Sequence, residues 1–170
     1  MKKPKVKHSY AYKYDVPQPK IARITELIKV IRGLDFDGET SCGYNPRKNK
    51  NRFSMEVYFH ECGTPACMSG HAIAQFSGWT ATDIAQLLKE DAINYSEEGA
   101  EVLGLEESWA ENTLFAPDLG ENRLFMVTNA QAIAALNKLL KTIKAGKNYT
   151  NLSVQQLWGK AYKKPDYLSD

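Results

Sequence analysis

The sequence predicts a mainly α protein, a single compact domain of about six helices with a short β-hairpin ahead of a central cysteine motif. Three observations carry this expectation. Apolar residues recur at three- and four-residue spacing in several stretches, the period of a helix that buries one face. Capping signals stand at the heads of such stretches, as in Thr80 with Asp83 and Ser153 with Gln156, each pair spaced as a capping box. One stretch, 53–60, alternates apolar and polar residues with period two, as a half-buried strand does.

With 170 residues, 43% hydrophobic and 25% charged, the chain fits one ordinary globular domain with its own core. It divides into a basic arm rich in Tyr and Lys (1–17), a helical domain (18–162) and a polar tail (163–170). No apolar run approaches the roughly 18 residues of a membrane span. No apolar segment follows the basic N-terminus as a signal peptide would require, so the expected location is the cytoplasm, with no membrane partner. Three cysteines are an odd number in a chain long enough to do without disulfides, and reduced thiols are expected. Charge is uneven: residues 1–52 carry 13 basic and 5 acidic side chains, 53–130 carry 2 and 13, and 131–170 carry 7 and 2. Such a distribution suits either internal compensation or a basic face for an acidic partner.

In the arm, Lys2, Lys3, Lys5, Lys7 and Lys13 alternate with Tyr10, Tyr12 and Tyr14. Lysines supply charge for phosphates and tyrosines supply rings for stacking, so the arm is a candidate nucleic-acid contact. A solubilising arm packed on its own domain accounts for the same composition. Pro19 opens a helix whose stripe is Ile21, Ile24, Leu27, Ile28 and Ile31, with Gly33 as its stop. Lys20, Arg23, Lys29 and Arg32 read as its solvated face. Residues 34–52 form a loop with a basic tip, in which Arg47, Lys48, Lys50 and Arg52 are further candidate phosphate contacts. The strand over 53–60 would pair with one near 39–44 to make the hairpin.

Thr64 and Pro65 then suit the N-cap and first position of a helix running to about Phe76. Helices follow from Thr80, from Tyr95-Ser96, over about 106–114, from Thr128 or Asn129 to Gly146, and from Ser153. Glu97, Glu98, Glu101, Glu106, Glu107 and Glu111 lie near the starts of these pieces, where the helix dipole favours carboxylates, and read as a solvated acidic face.

The motif itself allows three main readings, with a reversible Cys62–Cys67 disulfide as a minor fourth. His60, Cys62, Cys67 and His71 supply four nitrogen or sulfur donors, enough for tetrahedral zinc but at a spacing unlike the usual fingers. Cys67, in the first turn of a helix, could have its thiolate stabilised by the dipole, with His71 or His60 as a base. Alternatively Cys62, Gly63, Thr64, Pro65, Cys67 and Gly70 form a structural turn whose thiols pack inward, Gly70 admitting a neighbouring helix. The packing reading is preferred, and no cofactor is favoured.

The array Phe53-x-Met55 followed by Cys62-Gly63-Thr64-x-x-Cys67-x-x-Gly70-His71-Ala72 resembles a signature of small proteins common in tailed phages and bacterial genomes. Leu103-Gly104-Leu105, Leu114-Phe115 and the helix near Thr128 fit the same arrangement, so the resemblance covers about residues 53–145. It implies a phage or prophage origin and a host cytoplasm as the setting, but no activity. It also implies that Trp can replace His71, which weighs against an obligatory ligand or base there. The expected function is therefore a non-enzymatic binding or accessory protein. Its partner would be a host protein, a second copy, a nucleic acid reached through the arm, or a small ligand. The alternative is a cysteine- or zinc-dependent enzyme centred on Cys62, Cys67 and His71.

Overall fold

Helix α1, Ile21–Arg32, buries the stripe Ile24, Leu27, Ile28 and Ile31 and lies against three other helices of the core. The computed structural model describes residues 17–36, 52–53, 67–120 and 127–163. Ile21, on the same stripe but at the first helical position, is 38% exposed because the core begins one turn further in. After Gly33, β1 (Asp35–Phe36) pairs with β2 (Arg52–Phe53). That pairing is parallel, with Asp35 opposite Arg52 and Phe36 opposite Phe53, so it is not the expected hairpin. A hairpin joins antiparallel strands by a tight turn, whereas parallel strands need a longer crossover. The remainder of the expected strand, and its partner near 39–44, lie outside the described residues.

Five helices follow. They are α2 (Met68–Phe76), α3 (Ala81–Lys89), α4 (Tyr95–Leu103), α5 (Glu107–Trp109) and α6 (Asn129–Lys144), with a short α7 (Val154–Trp158) closing the series. The capping boxes at Thr80/Asp83 and Ser153/Gln156 form as expected, and a third forms at Thr128/Gln131. Glu106 caps α5 by accepting from the Ser108 and Trp109 N–H groups. From Ala110 to Phe115 the helix widens into a π turn, in which the Ala116 N–H reaches back to Glu111 O at 2.8 Å. The wider turn buries Ala110, Thr113, Leu114 and Phe115.

Most buried side chains form one core running from α1 to the turn after α7. Two indoles extend hydrogen bonds across it: Trp109 Nε1 donates to Leu152 O at 3.1 Å, and Trp158 Nε1 to Thr113 O at 2.8 Å. Each satisfies a carbonyl more than 40 residues away, so the indole is both apolar filler and tether. A small second cluster centres on Ile73 and Ile84, with Trp79, Leu88, Ile93 and Tyr95 around it. Ile84 is the one fully buried side chain of α3, so this helix rests on the satellite cluster and not on the main core.

Helix α4 is finished by α1. Its last carbonyls are orphans by helix geometry. The Lys20 N–H donates to Leu103 O at 2.8 Å, Lys20 Nζ to Glu101 O at 2.8 Å, and Arg23 to Val102 O at 2.8 Å. Lys20 and Arg23, read from sequence as a solvated basic face, therefore cap the negative end of another helix. Gly104 makes the approach possible: at φ 67° it takes the left-handed conformation, and a Cβ there would overlap the Gln18 carbonyl.

Candidate functional site

The described half of the cysteine motif forms the head of α2. Helix geometry begins at Met68, because Cys67 at φ −94° and ψ 179° is extended and stands outside the helix as its N-cap. This corrects the expected start at Thr64 and Pro65, residues that lie outside the described ones. The thiol does the work usually given to a hydroxyl: Cys67 Sγ accepts from the Gly70 N–H at 3.5 Å. Cys67 O receives the His71 N–H at 2.9 Å, the first bond of the helix.

Two effects compete at this thiol. Hydrogen bonds from backbone N–H groups at the helix head favour the thiolate, as expected for a cysteine at a helix start. Burial favours the neutral thiol, and Cys67 is only 1% exposed. Burial wins, and the thiol is pushed up from 9.0 to about 11. The group is thus an N-cap and a core side chain, held protonated at neutral pH. His71 is also buried, at 6% exposure, on the turn after Cys67.

Among the described residues, helices α2 and α4 share the most extensive helix–helix contact. Ser69 and Gly99 meet there: a Cβ on Gly99 would overlap Ser69 Oγ and press on the Phe115 ring at 3.1 Å. Ser69 Oγ donates to Tyr95 O at 2.6 Å, which satisfies a buried hydroxyl and fixes the rotation of α2 against α4. At this crossing the glycine that admits the neighbour lies on α4; the sequence motif assigns the same role to Gly70 of α2. Gly70 is itself buried. The signal in the sequence was a small residue on each of two helices, and only the fold pairs them.

At the far end of α2 an open groove of about 200 Å³ lies among Arg23, Phe76, Trp79 and Glu98. The Arg23 guanidinium sits 5.4 Å from the centroid of the Phe76 ring while bonding Val102 O, so its charge is committed to packing and capping. Glu98 on the same groove is raised above the ordinary carboxylate value, first by burial and then by the neighbouring charges of Glu101 and Glu97.

Of the sequence candidates, the fold brings Cys67, Gly70 and His71 together at the head of α2. His60, Cys62, Gly63, Thr64 and Pro65 lie outside the described residues, as do Lys2, Lys3, Lys5, Lys7, Arg47, Lys48 and Lys50. Arg52 is described only by its pairing with Asp35. Among the described residues, no three His, Cys, Asp or Glu side chains are grouped as metal ligands. No helix there is long and apolar enough to cross a membrane.

No protein-family model, curated protein or solved structure matches this chain. The geometry alone carries the functional argument.

That geometry includes a segregation of charge. Residues 90–122 hold ten acidic side chains and no Lys or Arg, and residues 122–165 hold eight basic side chains and no Asp or Glu. Within the second stretch, Lys138, Lys141, Lys144 and Lys147 are all exposed on α6 and just beyond its end. Among the described residues the one ion pair is Lys29 with Glu26 at 3.0 Å, so these four lysines have no carboxylate partner there.

Proposed function

We propose that this chain is a non-enzymatic binding or accessory protein, encoded by a phage or prophage, that acts through its surface and uses the cysteine motif to hold the fold. The observation that carries this reading is the placement of Cys67. A nucleophilic thiol has to be exposed and ionised at working pH; Cys67 is 1% exposed and its thiol is pushed up to about 11. His71, the base nearest in sequence, is buried in the same helix head. The phage setting rests on the resemblance of the Cys62–Ala72 signature.

Thiol titration of the native protein, with the labelled peptides identified by mass, tests the reading together with metal analysis. Cys67 is expected to label only on the timescale of unfolding, and the purified protein to retain no stoichiometric zinc. Fast labelling of Cys67 at neutral pH would overturn the proposal in favour of a cysteine enzyme. One equivalent of zinc, lost in Cys62→Ser together with the fold, would overturn it in favour of a metal centre.

A further inference from the structure

We infer that the lysine row on the outward face of α6 docks against the exposed acidic surface of α4, α5 and the π turn on a second copy of this chain. The inference rests on the binding-protein reading and names its partner.

Lys138, Lys141 and Lys144 follow one another at three-residue steps on α6, with Lys147 just beyond its end, and all four are exposed. At about 100° per residue the three helical lysines lie opposite the arc that buries Ala132, Ala135, Leu136 and Leu139. Between 134 and 147 the other exposed positions are Ala134, Asn137, Ala145 and Gly146, so the face carries one sign of charge. A face that only solubilises a helix usually mixes signs, since acid–base pairs at turn spacing stabilise it. Compensation of the helix dipole accounts for Lys141 and Lys144 in the last turn, but not for Lys138 further in or Lys147 beyond the end.

The complementary surface is on the same chain. Glu97 and Glu101 stand one turn apart on α4, Glu107 opens α5 and Glu111 lies in the π turn, and each is exposed. Helix α4 packs against both α5 and the π turn, and residues 90–122 hold no Lys or Arg to break the sign. Within one copy the two surfaces do not neutralise each other: the one ion pair among the described residues joins Lys29 to Glu26, both on α1. The full chain is close to neutral, at +2, so copies meet without strong net repulsion while their segregated charges attract patch to patch. A polyanion would engage the lysines and leave the acidic surface without a partner, whereas a second copy serves both. Because the two surfaces differ, every copy carries both halves of the contact.

Sedimentation velocity of the full chain over a range of concentrations tests this. Species larger than a monomer should form at about 50 mM salt, and the association constant should fall about tenfold or more by about 500 mM, as screening shortens the reach of each charge. Replacing Lys138, Lys141, Lys144 and Lys147 together by Gln should leave a monomer at low salt, and so should the separate change of Glu97, Glu101, Glu107 and Glu111 to Gln. Thermal melts of both variants should stay near that of the parent, since every changed side chain is exposed. Mixed in equal amounts, the two variants should associate again, because the first keeps the acidic surface and the second keeps the lysine row. A loss caused by altered folding would not be rescued in this way. A parent that is monomeric at every concentration at low salt, an association that survives in the lysine variant, or variants that stay monomeric on mixing would overturn the inference. So would a labelled DNA strand bound through the lysine row by a parent that remains monomeric. These outcomes leave the thiol and zinc measurements unaffected, so this inference and the binding-protein reading can fail separately.

Discussion

At Gly99 a hydrogen atom stands where any other residue would place a carbon against Ser69 Oγ. Gly99→Ala is therefore expected to destabilise the fold by about 1–3 kcal/mol, as overpacking does, although alanine is the better helix former. Chemical denaturation reads this directly, and pairing the change with Ser69→Gly should recover much of the loss. Asp91 is the opposite case. It stands at φ 50° just after α3, where Asp91 N–H reaches Leu88 O at 3.3 Å and Ala92 N–H reaches Leu87 O at 3.0 Å. That cap suits glycine, so Asp91→Gly should stabilise by about 0.5–1 kcal/mol in the same assay. Cys67 adds a pH dependence. Its folded value of about 11 lies above the ordinary 9.0, so its contribution is intact below pH 9.0 and is lost as pH rises toward 11. A gap of that size is on the order of 3 kcal/mol. Denaturation midpoints should therefore fall over that window, and Cys67→Ala should flatten the fall. Tyr149, whose hydroxyl is raised mainly by burial, contributes in the same direction.

Among the elements, α3 is held most lightly. It has a capping box, in which Asp83 accepts from the Thr80 backbone and side chain and is lowered below the ordinary carboxylate value by those bonds. Beneath it lies only the Ile73–Ile84 cluster. Hydrogen exchange is expected to show α3 opening well before α6, and Thr80→Ala to widen that gap by costing the cap about 1 kcal/mol. Asp83 has its folded value depressed, so the cap is intact above the ordinary value and weakens as pH falls through the folded one; α3 exchange should rise first in acid. The helices and their caps were legible in the sequence because they are local: Thr80/Asp83, Ser153/Gln156 and the α1 stripe each declare themselves within a few residues. What was not legible depends on distant partners. Nothing near Lys20 or Arg23 says that their donors belong to α4, and nothing near Cys67 says that burial outweighs the helix head. The π turn at 110–115 has no local signature either, since its extra residue is absorbed by the buried side chains it serves.

For the molecule as a whole, one core joins the start of the described chain to its end. The Tyr149 hydroxyl accepts from the Glu106 N–H at 2.8 Å, its ring meets Trp109 edge-on at 5.0 Å, and Lys163 N–H reaches Leu119 O at 3.2 Å. Unfolding is accordingly expected to be cooperative for this core. Arg23→Leu should lower its stability by about 1–3 kcal/mol with an unchanged denaturant slope, because a buried carbonyl of α4 loses its charged donor. The α1–α4 junction also bears on how the chain is made. The ribosome delivers residues 20–32 long before residues 95–103, so α1 emerges as an amphipathic helix with no partner for its apolar stripe. Helix α4, in turn, cannot be completed by its own sequence, since the donors for Val102 and Leu103 were synthesised some 80 residues earlier. A nascent chain halted before Leu103 should thus remain open to proteases at α1, and protection should be complete only once α6, against which α1 packs most, has also cleared the exit tunnel.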